Sequence, residues 1–171
     1  VVELRQMQAL GQSYLTRAES ERARLTALLN AMKFGVLFVD SENRVVFHNP
    51  AFCDLWGISR ALSLAGRPVG QVLQQADNRP ERTQAIIPRM EETAMLEGRS
   101  DYGEIVMSDS RIINQYCYGV TDAQGAVNGH MWIYEDVTQQ RQTAEHMISL
   151  AERDALTGLY NRHRFQQELE R

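Results

Sequence analysis

The hydrophobic period of this chain changes at Phe34, and that change limits the fold to a long helix followed by a strand-rich domain. Up to Met32 there is no proline and a single glycine, Gly11, among many good helix formers. Leu4, Met7, Gly11, Tyr14, Ala18, Glu21, Leu25, Leu28 and Met32 recur in alternating steps of three and four, the a/d seam of a heptad repeat, weakened at Gly11 and Glu21. So narrow a stripe on a polar helix predicts a two-stranded coiled coil, and hence a homodimer. The competing possibility is a long helix that lays the stripe on its own domain.

From Phe34 to Asp40 the sequence is short, apolar and β-rich, and Ser41-Glu42-Asn43 is turn chemistry. Arg44 to His48 then completes a hairpin. Asn49-Pro50 ends the strand and starts a helix, because asparagine caps and proline is tolerated in the first helical turn. That helix runs from Ala51 to Trp56 and closes at Gly57. A second short helix is predicted near Val69 to Gln75, after the Gly66-Arg67-Pro68 break. A longer one is predicted from Pro80 to Leu96, with a kink at Pro88. Three further strands, Tyr102 to Met107, Arg111 to Val120 and Val127 to Glu135, are separated by Ser108-Asp109-Ser110 and by Asp122-Ala123-Gln124-Gly125. Two strands, small helices, then three strands give an α+β domain on an antiparallel sheet.

The 171 residues suit one domain with flanking elements. The hydrophobic fraction of 43% supports a core. A net charge of -4 with the signs interspersed leaves no basic stripe and argues against a nucleic-acid partner. The apolar runs, such as Gly35 to Val39, are far shorter than the roughly 20 residues that span a bilayer, and no secretory signal is present. Cys53 and Cys117 are too few and too isolated for a disulfide framework or a zinc site. They are expected to be reduced core residues in a cytoplasmic protein. Because the chain begins at Val1, it is expected to be a fragment whose parent could be tethered to a membrane through upstream segments.

The pattern Gly35-Val-Leu-Phe-Val-Asp40, Asn43-Arg-Val-Val-Phe-His-Asn-Pro-Ala-Phe52, Leu55-Trp-Gly57 and Gly129-His-Met-Trp-Ile-Tyr-Glu-Asp-Val-Thr138 resembles a PAS domain. Its most specific parts are the Asn-Pro-Ala-Phe helix opening and the Asp136-Val137-Thr138 exit. The resemblance implies a five-stranded antiparallel sheet with short helices on one face, flanked by N- and C-terminal coiled-coil helices. The expected organisation is an N-terminal helix over 1–33, a PAS domain over 34–138, a transmitter helix over 139–153 and the start of another domain over 154–171. That last stretch, Asp154-Ala-Leu-Thr-Gly-Leu-Tyr-Asn-Arg162, resembles the opening of GGDEF domains, which in active members join two GTP molecules into cyclic di-GMP. The segments that would bind GTP and Mg lie downstream of Arg171, so this chain is not expected to be an enzyme, whereas its parent would be a diguanylate cyclase.

In the transmitter segment Val137, Ala144 and Ala151 recur every seven residues, with Gln140 and Met147 interleaved, a seam of marginal strength. Two packings of nearly equal energy suit a switch. At the junction Thr157 and Gly158 break the helix, Asn161 caps a new one and Asp154 can accept from free amides. The resemblance suggests that this turn sets the angle between transmitter and output. Signal transmission is therefore assigned to Asp136, Val137, Thr138, Ala144, Met147, Ala151, Asp154, Thr157, Gly158 and Asn161.

Within the sensor, strand alternation puts Trp132 and Tyr134 on one face and Met131, Ile133 and Glu135 on the other. Trp132, Tyr134, Tyr116, Tyr118 and Trp56 are the candidates for lining a pocket around an unknown small molecule, with plain core or dimer packing as the alternative. No cofactor is expected, although haem or flavin stays open. The stretch from Gln74 to Gly98 holds no histidine to ligate haem iron, and Met90 and Met95 read as core filler. The segment from Gly66 to Gln74 lacks the cysteine of photoactive flavin-binding members. His48 and His130 are expected to be satisfied or exposed strand residues, with no metal. The leading expectation is a dimeric sensory module that positions GGDEF domains. The alternatives are control of a degenerate GGDEF or attached phosphodiesterase domain, and a ligand-binding PAS module.

Overall fold

The computed structural model describes residues 2–80, 101–152 and 159. The helix expected from Pro80 to Leu96, with Pro88, Met90 and Met95, lies almost wholly outside the described residues. So do Asp154, Thr157, Gly158 and Asn161 of the junction, and all of the expected GGDEF start except Leu159.

A long helix α1 (Val2–Ala31) leads into the hairpin β1 (Gly35–Asp40) and β2 (Val45–His48). Two short helices follow, α2 (Pro50–Trp56) and α3 (Val69–Gln74), then the strands β3 (Asp101–Val106), β4 (Ile112–Thr121) and β5 (Val127–Asp136), and the helix α4 (Thr138–Glu152). The sheet is antiparallel throughout, in the order β2-β1-β5-β4-β3. This is the five-stranded α+β architecture expected from the strand pattern.

Local chemistry explains the boundaries. Asn49, in an extended conformation, caps α2: its Oδ1 accepts from the Phe52 amide at 3.1 Å. Pro50 sits in the first turn, where a missing N–H costs nothing. Gly57 ends the helix in the left-handed conformation (φ 65°), which glycine adopts without strain. Between β1 and β2, Asp40 Oδ1 accepts from the amides of Glu42 and Arg44, and Asn43 adopts a positive φ.

One face of the sheet forms the core. Leu37, Val39, Val45, Ile105, Ile113, Cys117, Trp132 and Tyr134 meet Phe52, Cys53, Leu55 and Trp56 of α2 and Val69, Val72 and Leu73 of α3. Both cysteines are buried, and neither forms a disulfide. Trp132 and Tyr134 are buried while Met131, Ile133 and Glu135 are only partly covered, as the alternation required.

The order of the strands has one geometric consequence for the flanking helices. β1 and β5 are adjacent and antiparallel, with Gly35 opposite Tyr134. The start of β1 therefore lies beside the end of β5, so α1 enters and α4 leaves at the same end of the sheet. No residue of α1 is buried. The seam residues Leu4, Met7, Tyr14, Leu25, Leu28 and Met32 are all exposed, as is Ala18, so the stripe does not lie on the chain's own domain. Met147, Ile148 and Leu150 of α4 are exposed too. Among the described residues no helix is long and apolar enough to cross a membrane.

Candidate functional site: a sensor core and two helical ports

The core holds a cluster of large aromatic side chains between α2 and the centre of the sheet. The Trp56 and Tyr134 rings meet edge to face, with centroids 5.4 Å apart and planes at 89°. Phe52 lies 5.7 Å from Tyr134 and 6.2 Å from Trp56. Spacing by one and a half helical turns could not do this; Phe52 and Trp56, four apart, share the inward face of α2.

This apolar cluster carries polar atoms that find no hydrogen-bond partner among the described residues. They are Trp56 Nε1, Gln115 Oε1, the Tyr134 hydroxyl and both ring nitrogens of His130. All are buried, and Gln115 faces Tyr134 across the β4–β5 ladder. A buried polar group without a partner is costly, so such a set calls for a water or a ligand. Burial, with a smaller contribution from Cys117, pushes the Tyr134 phenol far above its ordinary range. It therefore stays neutral, able to donate or accept. The core can thus offer aromatic faces with donors and acceptors that carry no net charge.

Of the five residues expected to line a pocket, the structure brings three together: Trp56, Trp132 and Tyr134. Tyr116 and Tyr118 stand elsewhere, because β4 pairs Cys117 with Trp132 and so turns its two tyrosines to the opposite face. There Tyr116 lies 5.2 Å from Tyr102, whose hydroxyl donates to Asn114 Oδ1 at 3.0 Å. Gln115 and His130 belong to the core; the first went unnoticed in the sequence, and the second was not expected there. His130 is neither satisfied nor exposed, contrary to expectation. The signal for it was available: it sits in phase with Trp132 and Tyr134.

Burial holds the His130 imidazole below its ordinary value near 6.5. As pH falls, the unfolded chain takes up this proton before the folded one. The stability due to a neutral His130 is then complete above the unfolded value and is lost progressively below it. The melting temperature is expected to drop as pH falls below the ordinary histidine value near 6.5, and to drop less steeply in His130→Gln. Equal slopes in scanning calorimetry would refute the assignment.

The exit port is built by the residues assigned to signal transmission at the end of β5. Asp136 Oδ1 accepts from the Thr138 amide at 3.0 Å and from its hydroxyl at 2.6 Å. Thr138 Oγ1 in turn accepts from the Ile112 amide at 2.9 Å, and the Val137 amide donates to Ile112 O at 2.9 Å. Val137 is buried. These bonds tie the first turn of α4 to the start of β4. Arg111, just ahead of β4, adds a contact that the sequence did not suggest: its Nη2 donates to Leu55 O in the last turn of α2 at 2.7 Å. Its Nε binds Asp109 at 2.7 Å, and Asp136 lies 4.0 Å away. Arg141 of α4 pairs with Glu104 of β3. Ala144, Met147 and Ala151 lie further along α4, all exposed.

The entry port is built by Asn49, whose side-chain amide is saturated. Oδ1 accepts from the amides of Val36 (2.8 Å) and Phe52. Nδ2 donates to Phe34 O at 2.8 Å and to Leu29 O, in the last turn of α1, at 3.0 Å. A cleft of about 470 Å³ opens between the ports, lined by Asn30, Met32 and Lys33 on one side, Arg111 and Asp136 on the other, and Asp54 of α2 between. Among the described residues no group of three or more His, Cys, Asp or Glu side chains could hold a metal ion.

Comparison with known proteins agrees with this geometry. The PAS-fold family model matches residues 29–145, well over half of the chain. No match is found among curated proteins. Among solved structures, the PAS domain of Bordetella pertussis BvgS superposes with a TM-score of 0.54 at 16% identity, covering 77% of this chain and 96% of that one. A phage VqmA–DPO complex gives 0.56 at 12% identity, over 76% of this chain and 59% of that one. The Vibrio cholerae VqmA dimer gives 0.53 at 18% identity, over 69% and 52%. At such identities the likeness shows the fold, and the family model supplies the rest: this chain belongs to the family of PAS-fold domains, modules that sense signals.

Proposed function

We propose that this PAS domain is the sensory and dimerising module of a cyclic di-GMP signalling protein, passing its state through α4 to a GGDEF output domain. The observation that carries this reading is the sequence Asp154-Ala-Leu-Thr-Gly-Leu-Tyr-Asn-Arg162, directly after a helix rooted in the sensor by Asp136 and Thr138. Condensing two GTP molecules requires two active sites to meet, so control of dimer geometry is control of rate. The exposed seam of α1 and the apolar residues of α4 support a parallel dimer, and one structural neighbour is described as a dimer. A second copy would supply the matching seam for both helices.

The test has two parts. The chain at tens of micromolar is expected to sediment with twice its monomer mass of 19.5 kDa, and a monomer at that concentration would remove the dimer from the scheme. The protein extended through its downstream segment is expected to convert GTP to cyclic di-GMP. A folded extension without turnover would favour the second output, regulation of a degenerate GGDEF or attached phosphodiesterase domain.

A second reading adds to the first: the core binds a small neutral molecule. The unpartnered atoms of Trp56, Gln115, His130 and Tyr134 favour it, and a structural neighbour is described in complex with DPO. An absorbance scan and mass spectrometry of the purified protein under native conditions test for a co-purifying molecule. A haem or flavin band would identify a cofactor that the sequence did not lead us to expect.

A further inference from the structure

We infer that α2 is a mechanical coupler that joins the two ports, so that the end of α1 and the start of α4 respond to each other through it. The inference begins with topology. Because β1 and β5 run antiparallel side by side, both flanking helices meet the sheet at one end, and α2 packs there with Phe52 close against Gly35 and its inner face in the core.

Each end of α2 is then gripped by one port. At its N-terminus the cap residue Asn49 reaches back to α1: the amide nitrogen that holds Leu29 O belongs to the same side chain whose oxygen holds the Phe52 amide. A shift of the α1 end cannot leave the α2 cap untouched, since one planar amide makes both sets of bonds. At the C-terminal end Leu55 O accepts from Arg111, and Arg111 adjoins both Asp136 and the Ile112 backbone that anchors Thr138. From Asn49 to Leu55 is six residues, about 9 Å along a helix axis. Over so short a distance a helix moves as a rigid body. The buried side chains Phe52, Cys53, Leu55 and Trp56 fix its inner face to the core, and packed cores shift between discrete arrangements rather than deforming smoothly. A change among the core aromatics would therefore move both ports together, and a change at either port would reach the core.

The biological meaning of this link rests on the proposed reading of α1 and α4 as signal-carrying helices. The link itself does not, and the experiment keeps the two apart, because hydrogen exchange needs no GTP turnover. Asn49→Asp retains the acceptor for Val36 and Phe52 but presents no donor to Leu29 O and Phe34 O, so it frees α1 while keeping the cap. Arg111→Met keeps the aliphatic stem and removes the bond to Leu55 O. Backbone exchange is measured on the whole chain.

With Asn49→Asp, the amides of the first turn of α4, Thr138 to Arg141, are expected to exchange about fivefold faster, the scale set by one net hydrogen bond. With Arg111→Met, the last turn of α1 up to Met32 is expected to respond by a similar factor. Amides further along the β3–β4 ladder from the ports, such as Tyr116 and Cys117, should hold their rates. The double variant should fall short of the product of the two single effects, as coupled sites do. Acceleration confined to the mutated side overturns the coupler, as does equal acceleration in the ladder, which would mean general loosening. Should Asn49→Asp not fold, an unchanged α1 terminus in Arg111→Met is enough to reject it.

Discussion

Trp56→Ala should lower the unfolding free energy by about 4 kcal/mol, the cost of deleting a large aromatic side chain from a core that relaxes only in part. Trp56 is 1% exposed, closes α2 and packs edge to face on Tyr134. Its removal strips Phe52 and Tyr134 of a shared neighbour and loosens α2 against the sheet. Urea denaturation reads the change as a lower midpoint with the slope retained. The companion Trp56→Phe separates volume from polarity. It also removes the indole N–H that has no partner among the described residues, and a missing orphan donor offsets part of the lost volume. Trp56→Phe is therefore expected to cost about 1 kcal/mol in the empty protein. If the N–H is instead satisfied by a bound molecule, Trp56→Phe should purify without that molecule. A cost for Trp56→Ala below about 1.5 kcal/mol would place the ring outside the cooperative core.

Much of this was legible in the sequence because it depends on local period and turn chemistry. The strands fell within a residue of their expected ends, and the Asn49-Pro50 start and Gly57 stop of α2 stood where expected. Parity along β5 separated Trp132 and Tyr134 from Met131 and Ile133. Parity within one strand does not say how two strands align, however. Only the pairing of Cys117 with Trp132 shows that Tyr116 and Tyr118 face away from the core. The ports were less legible still. Asn49 could be named as a cap from its neighbours, but its bond to Leu29 spans 20 residues and that of Arg111 to Leu55 spans 56. No periodicity encodes such contacts. The seam of α1 is a different case: its heptad pattern is plain, yet among the described residues nothing covers it.

Gly129→Ala tests the sheet that brings the ports together, with an expected loss of about 3 kcal/mol. The reason is space rather than backbone freedom. A methyl group on Gly129 would sit 2.3 Å from Val39 O and 2.9 Å from the Phe38 ring. A ring can swing aside, but Val39 O belongs to the inner strand β1, which pairs β2 on its other edge. Relief requires β1 and β5 to separate locally, stretching hydrogen bonds near Asp40, the partner of Gly129 in the ladder. The damage lies at the far end of the β1–β5 pair from Gly35 and Tyr134, where the helices attach. Gly129→Ala should therefore lower the melting midpoint sharply while the exchange rates at the first turn of α4 stay near those of the wild type under conditions where both are folded. Had the two strands slid as one unit, both would change together, and the ports would depend on the register of the whole sheet instead of on Asn49, α2 and Arg111.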